Sequence, residues 1–185
     1  MKHRILVAAF LVVAFASIAA ADAEARRFRL AGHGELELPV PTTWKVAVRS
    51  PPGDLPPTLH FSAVDGQPFE FMVTPLWAIQ GHVPPSDPET LRAQLEHAVK
   101  QAQSQAVESQ IEVKKLTGAS AQGFYFAATD RAPNPGEYKY MTQGILPVGD
   151  LVVTFTVLTN DGQKAIVEAA LQALRRAVHV PAGTA

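Results

Sequence analysis

The sequence predicts an α+β fold: a mainly antiparallel sheet of about six to eight strands packed with two main helices, in the order strands, helix, strands, helix. Three observations predict it. Apolar and polar residues alternate between Leu36 and Val73, the period of strands that bury one face. The period lengthens to that of a helix from Leu91 to Ala102 and again from Ile166 to Leu174. Short turns rich in Pro, Gly and Asp join the strand-like runs, which suits hairpins and not the long crossovers of a parallel sheet.

The chain opens with Lys2 and Arg4, an unbroken apolar run from Ile5 to Ala16, and a small-residue stretch from Ser17 to Ala23. A basic start, a short apolar run and an A-x-A site are the parts of a bacterial-type secretory signal peptide. Ala19-Ala20-Ala21 and Ala21-Asp22-Ala23 both offer acceptable cleavage sites. Even drawn to Ala21, the run is shorter than the roughly 20 residues of a spanning helix. Residues 1–23 therefore read as a cleaved signal and 24–185 as a single α+β domain, periplasmic or secreted, with no lipobox and no stable membrane anchor after cleavage.

The expected mature chain of 162 residues holds 14 basic and 16 acidic residues, a net charge of −2. That balance lacks the basic footprint of a nucleic-acid binder. Zero cysteines exclude a disulfide, a thiolate zinc site, an iron–sulfur cluster and a cysteine nucleophile. A chain of this length buries roughly 70% of its unfolded surface and needs no such staples.

Each element has a local justification. Leu36, Leu38 and Val40 share one face, with Glu35 and Glu37 on the other. Trp44, Val46 and Val48 alternate with Lys45, Ala47 and Arg49; Leu59, Phe61 and Ala63 with His60 and Ser62; Phe69, Phe71 and Val73 with Glu70, Met72 and Thr74. Ser86-Asp87-Pro88-Glu89 offers an N-cap, an early Pro and a capping-box Glu ahead of the stripe Leu91, Leu95, Ala98, Val99, Ala102. Strands are then expected at Ile111–Leu116, Ala121–Thr129, Tyr138–Leu146 and Leu151–Leu158. The last is apolar or Thr on both faces, the pattern of a central strand covered on both sides. Asn160-Asp161-Gly162 opens a helix whose stripe is Ile166, Val167, Ala170, Leu171, Leu174 and Val178, with Arg175 and Arg176 near its negative end and Pro181 beyond.

The element order, with Leu38-Pro39-Val40-Pro41-Thr42-Thr43-Trp44, resembles the opening of PsbP-like domains, a strand ending in a Pro-rich turn and then Trp. That family includes the photosystem II extrinsic protein and bacterial periplasmic or secretion-associated relatives. The resemblance implies a binding or assembly accessory and carries over no catalytic residue.

Motifs for catalysis are absent. Gly118-Ala119-Ser120-Ala121-Gln122 lacks the second Gly of a nucleophile elbow and joins two strands, so Ser120 reads as hairpin polarity. Gly32-His33-Gly34 lacks the third Gly of a dinucleotide loop and reads as a turn. Beyond the signal, His33, His60, His82, His97 and His179 show no paired ligand spacing. Glu35 and Glu37 share a strand face and read as solvated, and Gln101, Gln103 and Gln105 as the polar end of a helix. No catalytic residue, metal ligand or cofactor is assigned.

The most distinctive segment is Thr129 to Tyr140, which gathers charged, amide and phenolic side chains around a Pro/Gly loop between strands. Loops on a rigid sheet often carry binding residues; the same composition also suits a stiff, solvated hairpin. The binding residues expected here are Asp130, Arg131, Asn134, Glu137, Tyr138 and Lys139. Trp77 to His82 is a second loop of interest, where Trp77 reads as core or as a clamp. The expected function is an exported, non-enzymatic binding or assembly-accessory protein whose partner is an envelope protein or a small ligand. The rival expectation is a hydrolase or metal-dependent enzyme whose residues converge from distant segments.

Overall fold

The structure, a computed structural model, describes residues 23–183. The signal peptide expected at residues 1–23 lies outside the described residues except for Ala23.

Among the described residues, ten strands and two helices follow the expected order of strands, helix, strands, helix, with the tenth, short strand coming after the second helix. β1 (Ala23–Leu30) and β2 (Gly34–Pro41) form a hairpin, followed by the meander β3 (Trp44–Arg49), β4 (Thr58–Ala63) and β5 (Glu70–Leu76). Helix α1 (Pro88–Ala102) leads to a second meander, β6 (Lys114–Thr117), β7 (Gln122–Thr129), β8 (Tyr140–Val148) and β9 (Leu151–Thr159). Helix α2 (Lys164–Arg175) and the short β10 (Val178–Val180) complete the described chain.

The two meanders join through antiparallel pairing of β5 with β9, which makes one seven-stranded sheet in the order β3-β4-β5-β9-β8-β7-β6. β9 is the middle strand of the seven, as expected, but it is not covered on both sides along its length: Thr154, Thr156 and Leu158 are half-exposed on the α1 face. Leu151, Val153, Phe155 and Val157 enter one core, and Val152 enters the other. A separate sheet, β1-β2-β10, is built around the alternation of Leu36, Leu38 and Val40.

The larger core lies between the seven-stranded sheet, α2 and the three-stranded sheet. Trp44 is buried there against Phe61, Phe69 and Phe71, so the Pro-rich turn delivers an indole to a cluster of phenyl rings. The opposite face of the sheet carries α1, which buries Leu91 and Leu95 on Phe124, Phe126 and Ile145. Helix α1 packs on β7 and β8, so the α1 face over β4 and β5 retains half-exposed polar side chains such as Thr58, His60 and Glu70.

Several boundaries differ from the expectation. Asp87, not Ser86, is the N-cap of α1: its carboxylate accepts the Thr90 amide at 2.8 Å, which leaves Glu89 in the first turn without a capping-box role. Tyr138 and Lys139 belong to the loop before β8, and Val178 leaves the α2 stripe to become β10. The alternation Val178-His179-Val180 suits a strand, which pairs with Glu35–Glu37 of β2. Gly34 adopts φ +78 beside it, where a Cβ would collide with the Val180 carbonyl.

Candidate functional site

A groove of about 690 Å³ opens between the C-terminal end of α1, the 130–139 loop and the α1 face of the sheet. Its floor follows from register. Glu70 pairs with Leu158, Leu158 with Met141, and Met141 with Ala128, so these four side chains form one row across β5, β9, β8 and β7. Gln143 rises from β8 two residues beyond Met141, on the same face. Ala98, Gln101 and Ala102 come from the last turns of α1, and Gln105 and Ala106 from the segment after it.

The loop wall is fastened to that segment from two sides. Ala106 and Asp130 form an isolated antiparallel bridge, and the Arg131 amide donates to the Gln105 carbonyl at 2.9 Å. The Arg131 guanidinium donates to the Ala106 carbonyl at 2.7 Å. Gln103 supports the same turn: its amide nitrogen donates to the Glu108 carbonyl, and its amide oxygen accepts the Ile111 N–H.

Of the six expected binding residues, Asp130, Glu137, Tyr138 and Lys139 line the groove. Arg131 instead holds the wall through Ala106. Asn134 closes the loop tip, where its backbone and side-chain amides both donate to Glu137 at 3.0 Å. Those two bonds hold the Glu137 carboxyl below its usual value. Lys139 reaches past the groove to Asp161 at 3.1 Å, and Tyr140 donates its hydroxyl to the same carboxylate at 2.6 Å. The Asp161 and Tyr140 partners raise the Lys139 ammonium above its usual value, while Tyr140 and then Lys139 lower the Asp161 carboxyl.

Tyr138 and Glu70 connect the groove to a second, more polar cleft of about 540 Å³, because both residues line each of them. The second cleft is bounded by Lys45, His60, Ser62 and Asp65. Burial raises the Tyr138 hydroxyl above its usual value, and the Glu70 charge adds to the shift. His60 Nε2 lies 3.3 Å from Glu70 Oε2, yet the contact is misaligned for a hydrogen bond and leaves this buried nitrogen without one. Ser62 stands two residues along the same strand and face from His60, within the same cleft.

The residues missed by sequence reasoning are Glu70, Gln101, Gln105, Met141, Gln143 and Leu158. Alternation in β5 places Glu70 opposite its core face, but only the pairing of β5 with β9 brings it beneath the loop. The other histidines serve the scaffold or the surface. His33 stacks on Trp77 with ring centroids 4.3 Å apart, and His97 is an exposed partner of Gln101 on α1. Trp77 is buried in the larger core, as the core reading has it, and the Ile79–His82 turn after it carries Gln80 and Gly81 at positive φ. Ser120 is exposed in the β6–β7 hairpin, and Glu37 pairs with Arg27 at 3.0 Å.

Among the described residues, no group of three His, Asp or Glu side chains gathers closely enough to hold a metal ion. No helix among them is long and apolar enough to cross a membrane. Comparison with protein-family models and with curated proteins finds no match.

Proposed function

We propose that the chain is an exported binding or assembly-accessory protein that holds a small ligand, or a segment of an envelope partner, in the groove beneath the 130–139 loop. The observation that carries the reading is the gathering of Asp130, Glu137, Tyr138 and the stem of Lys139 along one concave surface with the row Glu70–Leu158–Met141–Ala128. A recess with a partly apolar floor and a few convergent polar groups is the usual form of a ligand site. The likeness of Leu38–Trp44 to PsbP-like domains agrees with an accessory role, and the signal-like N-terminus with an exported one.

Amide chemical shifts recorded against a panel of neutral, anionic and cationic fragments test the reading. Perturbations clustered at Ala128, Met141 and Gln143 support it, together with their loss when Ala102→Trp fills the groove. Fragments whose perturbations fall elsewhere, or a panel with none, overturn it. A fragment present at one hundred times its Kd stabilises the fold by about 2.7 kcal/mol, which thermal denaturation detects. Export is tested by fractionation with N-terminal sequencing, which is expected to find a periplasmic or secreted chain beginning at Asp22 or Glu24.

The His60–Glu70 pair beside Ser62 favours a second reading, a hydrolase, although its residues come from the neighbouring strands β4 and β5 and not from distant segments. Turnover of chromogenic esters that disappears in His60→Ala would establish it; equal background rates in the two proteins would remove it.

A further inference from the structure

Resting on the groove as a binding site, we propose that the groove and the polar cleft beside it form one continuous trough for an uncharged or amine-bearing oligosaccharide. Continuity comes from Glu70 and Tyr138, which line both recesses. The trough runs from His60 on β4, across β5 and β9, to Gln143 on β8. At about 4.8 Å between neighbouring strands that is about 14 Å, long enough for an oligomer and too long for one sugar.

The strands beneath it exclude the commonest mode of extended-peptide binding. β4, β5, β9 and β8 are each hydrogen-bonded to a strand on both sides. Among the strands that line the trough only β3, whose Lys45 bounds the far end of the cleft, is an outer strand, so a peptide adding to the sheet through its backbone would lie at that end and not along the floor. Recognition must come from side chains, and those present suit a sugar. Gln101, Gln105 and Gln143 each carry a donor and an acceptor that can meet adjacent hydroxyl groups. Tyr138 and the small apolar floor at Ala128 offer surfaces for the C–H face of a sugar ring.

Charge narrows the class further. Glu70, Asp130 and Glu137 line the groove, where the ammonium of Lys139 is bound to Asp161, and Asp65 lines the cleft opposite the single cation Lys45, so carboxylates outnumber free cations along the trough. The lining therefore repels uronic and sialic acids and accommodates neutral sugars or amino sugars.

The test is a calorimetric and amide-shift titration of the protein, as purified from expressing cells, with chitobiose, chitotetraose, its deacetylated form and tetragalacturonate. The expected result is chitotetraose binding that perturbs both Ser62 and Gln143, with tetragalacturonate at least about tenfold weaker, a difference of about 1.4 kcal/mol. Ser62→Trp, which fills only the polar cleft, is expected to weaken chitotetraose about tenfold and leave chitobiose in the groove unchanged. Ser62→Leu replaces it if the indole prevents folding. Equal effects on the two oligomers, or tighter binding of tetragalacturonate, overturn the proposal. A basic peptide that binds the groove where no glycan does overturns the ligand class and leaves the groove reading standing. Absence of any perturbation in the groove by glycan, peptide or fragment overturns both.

Discussion

Glu108 is joined to Thr129 twice: its carboxylate accepts the Thr129 hydroxyl at 2.6 Å and the Thr129 amide at 2.9 Å. The Val107 amide returns a bond to the Thr129 carbonyl at 2.8 Å. The segment after α1 is thereby locked to the end of β7, from which the groove wall departs. The 130–139 loop needs such support, because its own tip makes only local bonds between Asn134 and Glu137.

Glu108→Ala is expected to lower stability by about 1–3 kcal/mol, since two hydrogen bonds to a charged acceptor are lost. The effect depends on pH with a definite sign. Burial opposes ionisation of Glu108, but the Thr129 side-chain and backbone bonds outweigh it and the folded carboxyl lies below its usual value. Its contribution is therefore present above the unfolded pKa and is lost as pH falls through the folded one. Urea denaturation of both proteins at about pH 7 and about pH 3 checks this; a difference that does not shrink in acid contradicts it.

Gly144→Ala is expected to destabilise the sheet by about 1–3 kcal/mol. A Cβ at this position would collide with the Phe155 ring and the Phe124 carbonyl on the two neighbouring strands. Phe155→Leu in the same chain should recover part of the loss, as a double-mutant cycle by chemical denaturation would reveal. Additive losses would count against direct collision.

His179→Phe is expected to cost about 2 kcal/mol and about 4–8 °C in Tm. The imidazole is almost fully buried: its Nε2–H donates to the His33 carbonyl at 2.8 Å, and its Nδ1 accepts the Asp150 amide at 3.2 Å. Phe fills the space and leaves both partners unsatisfied. Calorimetry checks the Tm, and an unchanged value would mean that these bonds contribute nothing net.

Glu70→Gln is expected to move ionisation of the Tyr138 hydroxyl downward. Burial is the larger cause of its elevation and persists in the variant; the Glu70 charge is the smaller cause and is removed. Site-resolved NMR titration of the tyrosine rings, with Tyr138→Phe for assignment, measures the shift. An upward movement or none would show that Glu70 does not face the phenol in solution.

Much of the scaffold was legible in the sequence because its signals are local. The alternation through Leu59 and Phe61, the 3.6-residue stripe of Leu91 and Leu95, and the apolar run of β9 each report burial within one element. The same kind of reading selected the 129–140 loop by composition. It could not separate Asp130 and Tyr138, which face the groove, from Arg131 and Asn134, which hold the wall and the tip. β1 was hidden because Arg26, Arg27 and Arg29 crowd its apolar alternation, and β10 because three residues cannot establish a period.

The sequence by itself determined the strand and helix periods, the turn sites and the outward face of Glu70, since each depends on residues within a few positions of one another. Tertiary structure alone decided that Glu70, Leu158, Met141 and Ala128 share one row, that Glu108 meets Thr129, and that α1 leaves half of its sheet face open. Those relationships depend on pairing between distant strands. Pairing is selected by how completely the two faces of the whole sheet can be buried, a quantity that belongs to no single segment.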